Sequence, residues 1–140
     1  MKKLIVTLFV TMLAGSGLVV ATGGTAFADC TPSQYSGCVA TKTKALAPDV
    51  VSKGSKATVC AKVKAIGSDA TPVGEVVIKV DKNSGGQVSK ATFDYSGGQV
   101  CAKTGKLTKK GGYTVTAKFK SPSGSIFINS TDGAGFDVVR

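Results

Sequence analysis

A run near the C-terminus, GGYTVTAKFKS, constrains the fold of this chain more than any other stretch. Tyr113, Val115, Ala117 and Phe119 alternate one for one with Thr114, Thr116, Lys118 and Lys120. A period of two puts the apolar side chains on one side of an extended strand and the polar ones on the other. On a helix the same residues would be scattered around the axis. KATVCAKVKA repeats the pattern, with Ala57, Val59, Ala61 and Val63 set against Thr58, Cys60, Lys62 and Lys64. In VGEVVIKVD, Val76, Ile78 and Val80 point inward while Glu75, Val77 and Lys79 point outward. In GGQVCAKTGKL, Val100, Ala102 and Thr104 oppose Cys101 and Lys103. Weaker strands are expected in PDVVSKGS, KATFDYS and FDVVR, and the apolar SIFINS packs in a register that the pattern leaves open. Glycine-rich turns separate the runs, as in Asn83-Ser84-Gly85-Gly86 and Ser96-Gly97-Gly98. No 3.6-residue period occurs after residue 28. About seven short strands punctuated in this way predict an all-β, antiparallel β-sandwich.

The N-terminus reads as an address. Lys2 and Lys3 precede an apolar run from Leu4 to Leu13, and Ala26-Phe27-Ala28 forms a cleavage site, so residues 1–28 are expected to be a signal peptide. Gly15, Ser16 and Gly17 interrupt the apolar segment, which is too short to span a bilayer comfortably. The mature protein is expected to start at Asp29 and to be secreted, extracellular or loosely associated with the cell wall. It divides into an N-terminal disulfide loop, 29–41, and one sandwich domain, 42–140. Removing Lys2 and Lys3 from 18 basic residues, against 8 acidic ones, leaves a net charge of +8. Such a charge draws the chain toward polyanions.

The side chains present exclude most catalytic chemistry. With no histidine, neither a Ser-His-Asp nor a Cys-His arrangement can be assembled. Glu75 is the only glutamate, and the spacing of Asp81, Asp94, Asp132 and Asp137 pairs none of them. A calcium site near NSTDGAG would draw on Asn129 and Asp132, but these residue types in that setting more often make a turn. No enzyme, metal or cofactor is expected. Cys30, Cys38, Cys60 and Cys101 all follow the signal, and an even number in an oxidising compartment implies two disulfides. Four cysteines allow three pairings. They are scattered singly, without the C-x-x-C of a zinc or thioredoxin-like site. VCAK occurs at 59–62 and again at 100–103, but the flanks differ and the two are not an internal repeat.

TPVGEVVIKVD followed by GGYTVTAKFKSP resembles the bacterial Ig-like domains of group 3. Their Pro-x-Gly-x-Val and Gly-x-Tyr-Thr-Val-x-Ala motifs match Pro72, Gly74 and Val76, then Gly112, Tyr113, Thr114, Val115 and Ala117. The resemblance covers roughly residues 42–140. It implies an Ig-like sandwich with strands B (57–65), C (74–81), D (87–95), E (99–107), F (113–120) and G (134–139). Tyr113 then stands where such folds place a tyrosine bonded back to the E–F corner, or serves as an ordinary core aromatic. Strands B and E are antiparallel neighbours in that fold, so outward-facing Cys60 and Cys101 are expected to pair, leaving Cys30 with Cys38. The family generally lacks disulfides and occurs in repeated copies, whereas this chain holds one copy and four cysteines.

By the same order, Lys62, Lys64 and Lys103 share one outer face, and Lys118 and Lys120 share the other. These five are the candidate polyanion-binding residues, against the plainer view that lysines keep a sandwich soluble. No aromatic residues are interleaved with them to read nucleic acid specifically. The resemblance implies a non-catalytic module of cell-surface structure, adhesion or recognition, partnered by a wall polyanion or a surface protein. The charge and the disulfides allow a second reading, a small cationic secreted effector that is antimicrobial or inhibitory.

Overall fold

The alternation becomes eight β-strands in the computed structural model, which describes residues 37–140. The expected signal peptide and Cys30 lie outside the described residues. The strands are β1 (Thr41–Leu46), β2 (Val50–Ser52), β3 (Thr58–Ala65), β4 (Gly74–Lys82), β5 (Gln87–Tyr95), β6 (Val100–Lys103), β7 (Gly111–Lys120) and β8 (Ser130–Val139). They form a three-stranded sheet ordered β1-β3-β6 and a five-stranded sheet ordered β2-β8-β7-β4-β5. All strand pairings are antiparallel except that of the short β2 with β8. The architecture is an Ig-like β-sandwich.

The inner faces are the ones the sequence pattern marks. Val59, Ala61 and Val63 on β3 face Val76, Ile78 and Val80 on β4 and Val115, Ala117 and Phe119 on β7, all buried. Burial of a valine, isoleucine or phenylalanine side chain contributes about 1.5–3 kcal/mol, so this layer supplies the main driving force for folding. Two aromatic pairs extend it. The Tyr95 and Phe119 rings meet edge to face at 6.2 Å, and Tyr113 stacks on Phe136 at 5.3 Å.

The expected sandwich of about seven strands is present, and two of its details need correction. TKTKAL, which is not among the expected strands, forms β1 although it lacks a conventional apolar face. Its inward side is Thr41, Thr43 and Ala45. Thr41 Oγ1 and Thr43 Oγ1 each lie 2.7 Å from Ser130 Oγ, and Thr41 Oγ1 donates to Ile128 O at 2.6 Å. With Thr43 donating to Ser130 and Ser130 to Thr41, the hydroxyl protons of all three residues are used, which removes the penalty of turning threonines inward. The second correction concerns 87–95, the expected strand D. It pairs with β4, in the sheet that holds strands C, F and G, and so occupies a C′ position. The cause is the tight turn after Lys82, where Gly85 and Gly86 take φ of +104° and +100° and fold the chain straight back.

Gly74, part of the motif that carries the family resemblance, has a steric role. A Cβ there would collide with Lys120 O and lie 2.9 Å from Phe119 Cε2. Only glycine lets β4 begin this close to the end of β7.

Candidate functional site

The three-stranded sheet presents an outer face built from alternate residues of three strands. β1 contributes Lys42 and Lys44, β3 contributes Lys62 and Lys64, and β6 contributes Lys103, all exposed. Cross-strand register places Lys42 directly opposite Lys64 and Lys44 directly opposite Lys62. Lys103 stands opposite Thr58, and exposed Lys56 continues the same phase just beyond β3. Like charges directly opposed on a sheet face are destabilising. No carboxylate offsets them: among the described residues the salt bridges are Lys79–Asp81 at 2.9 Å and Lys120–Glu75 at 3.6 Å, both on the five-stranded sheet.

A disulfide lies within this face. Cys60 and Cys101 are in register and bonded, with Cα atoms 4.0 Å apart. The ladder explains why they can bridge. Thr104 N–H donates to Ala57 O at 2.9 Å, marking the 57/104 pair as hydrogen-bonded. Alternation along the ladder makes 59/102 the next such pair and leaves 60/101 at the narrow, non-hydrogen-bonded position, where side chains approach most closely. Leu46 of β1, half-buried, lies opposite Cys60 on its other side. The middle of the face is therefore uncharged. Cys38 is also disulfide-bonded, while its expected partner Cys30 falls outside the described residues.

Three of the five candidate lysines, Lys62, Lys64 and Lys103, come together on this face. Lys118 and Lys120 lie on the outer face of the five-stranded sheet, as their phase requires, and Lys120 is paired with Glu75. Sequence reasoning missed Lys42 and Lys44, because β1 itself was not recognised. The strict alternation of lysine with threonine in TKTK was the available signal.

The geometry beneath the face is fixed by hydroxyl groups. Tyr95, 2 % exposed, reaches from β5 across to β3, where its Oη accepts from Val63 N–H at 2.9 Å. Its own proton goes to Val63 O or Gly98 O, each at 2.9 Å. The hydroxyl thus takes the place of a strand beyond the start of β6 and ties the two sheets together. Tyr113 Oη donates to Lys109 O at 2.7 Å, the corner bond that the Ig-like resemblance implies. On the free edge of β1, Ala45 N–H donates to Asp132 Oδ2 at 2.9 Å.

Other polar groups are used singly. Asn129 Oδ1 accepts from Ser121 N–H at 2.7 Å, and Asp132 serves β1, so the two residues of the calcium reading have separate duties. No group of three or more His, Cys, Asp or Glu side chains that could hold a metal ion occurs among the described residues. A concavity of about 710 Å³ at the end of the five-stranded sheet brings Glu75 opposite Asp94 beside Lys120. No helix of the described residues is long and apolar enough to cross a membrane.

No family model matches the chain. No curated protein matches it either. Among solved structures, it is similar to a CARDB domain from Pyrococcus furiosus, solved in complex with di-metal ions. That domain is 17% identical with a TM-score of 0.48, over 73% of this chain and 90% of the other.

Proposed function

We propose that the chain is a non-catalytic, secreted Ig-like module of the group 3 type, and that it recognises an anionic partner at the cell surface through the outer face of β1-β3-β6. The observation that carries this reading is the two directly opposed lysine pairs, Lys42/Lys64 and Lys44/Lys62, with no carboxylate in salt-bridge range among the described residues. Lysines kept only for solubility or edge protection gain nothing from facing one another, and they lose stability by doing so. An anion lying across them removes the repulsion. Proteins depart from local folding rules chiefly at functional sites.

The division at residues 28 and 41 and the second disulfide, Cys30–Cys38, belong to the same proposal. Fractionation tests it. The protein should remain with the wall of the producing cell at low salt and be released as salt rises. Protein found wholly free in the medium, inhibiting competing cells, would favour the effector reading instead.

A further inference from the structure

We infer that the face takes a linear phosphodiester polymer without aromatic bases, of the polyol-phosphate kind, laid along the strands. This rests on the anionic-recognition reading above and adds the chemical class of the ligand. The face is organised in rows. Lys42 and Lys64 form the first, Lys44 and Lys62 the second, Leu46 with the Cys60–Cys101 bridge the third, and Thr58 with Lys103 the fourth. Successive rows are two residues apart, or roughly 7 Å, and the face from Lys64 to Lys103 is roughly 20 Å long and three strands wide. It is a narrow charged strip.

A linear polyanion matches that strip best when its charges share the spacing of the rows. A glycerol-phosphate repeat has six backbone bonds, the same number as two peptide residues, so an extended chain advances roughly 7 Å per charge. About three to four phosphates then cover the strip, three of them beside the lysine-bearing rows and the one between the second and fourth rows above the uncharged bridge. Single-stranded nucleic acid has a similar repeat, but it is held by aromatic side chains on which its bases stack. Among the described residues Tyr95, Tyr113, Phe119, Phe127 and Phe136 are all buried in the core, and Phe93 packs against it. A membrane surface would present charge in two dimensions and reward exposed apolar groups. Ile66, one residue past β3 in the same phase, is a single exposed apolar side chain at one end of the face, and Ile126 lies outside its strands.

The test uses protein expressed as the full chain and purified after export. Its affinity is measured for lipid-free poly(glycerol phosphate) of two, four and eight repeats, for oligothymidylate of matched charge, and for vesicles containing phosphatidylglycerol. Affinity for the polymer should rise at least tenfold from two to four repeats and then level off. Its log-log salt slope should approach roughly −0.7 per phosphate contacted. Lys62→Glu should lower it at least tenfold. Lys90→Glu, which reverses one lysine of the opposed Lys79/Lys90 pair on the other sheet, should change it less than twofold. Equal or tighter binding to oligothymidylate, or binding to vesicles alone, would overturn the polymer assignment while leaving anionic recognition standing. Absence of binding to all three probes at physiological salt would overturn both.

Discussion

The outer faces of the two sheets are built from the same kinds of residue, yet their charges are arranged differently. On the five-stranded sheet Lys120 is opposite Glu75 and close enough to pair with it, and Lys79, although opposite Lys90, is bridged to Asp81. On the three-stranded sheet lysine faces lysine twice and no acidic residue lies on any of its strands. The smaller sheet also carries the Cys60–Cys101 bridge, which crosses it from β3 to β6. One face has its charges balanced internally. The other carries a covalent tie, and its lysines have no acidic residue on their own strands.

The largest expected effect comes from removing that tie. The bridge spans a sequence separation of 41, for which loop closure predicts about 4 kcal/mol. We predict that Cys60→Ala/Cys101→Ala lowers stability by about that amount in denaturant unfolding. Amide exchange should rise first in β6 and leave β7 and β8 least affected. Uniform loss of protection across both sheets would erase the distinction between them.

Next come the groups that join the sheets or align the larger one. Tyr95→Phe leaves the buried Val63 N–H without its acceptor, a loss of about 1–3 kcal/mol. Gly74→Ala forces a Cβ against Lys120 O and should lose a comparable amount, about 1–3 kcal/mol, through strain between β4 and β7. Tyr113→Phe removes one bond, to Lys109 O, and should fall nearer 1 kcal/mol. Chemical unfolding midpoints of the three variants give the order directly. A Tyr95→Phe protein as stable as the native chain would mean that its hydroxyl does not link the sheets.

The smallest effects discriminate most sharply, because they differ in sign. Lys62→Glu turns a repelling pair with Lys44 into an attractive one and should stabilise the protein by roughly 0.5 kcal/mol. Lys120→Glu sets an acid opposite Glu75 and should destabilise it by about 0.5 kcal/mol, discounted for exposure. Both shifts should shrink as salt rises. Equal signs would show that the two faces do not differ electrostatically.

Legibility in the sequence followed the same division of labour. Where burial is apolar, alternation was sufficient. The inward sets of β3, β4, β6 and β7 are those the pattern marks, and the phase of Cys60 and Cys101, read with the Ig-like strand order, predicts their pairing. Where burial is polar, the alternation is present in TKTK but its inward side does not read as apolar. The inward threonines of β1 become acceptable only because Ser130, some 90 residues away, completes their hydrogen bonds, and no local rule signals that. Missing β1 hid Lys42 and Lys44, and with them the opposed pairs on which the functional reading rests. Tyr95 reads as one more apolar residue in a weak strand, since its partners, Val63 and Gly98, lie on other elements. The C′ position of β5 came from a tight turn that the family's strand order does not anticipate.

Thermal unfolding of the native protein and of Lys62→Glu, each with and without poly(glycerol phosphate), tests the central claim most directly, since a ligand that binds only the folded state raises the midpoint. Without polymer, Lys62→Glu should unfold at the higher temperature; with saturating polymer the order should reverse. A native midpoint that does not move on adding polymer, or a variant that unfolds first in its absence, would contradict the account.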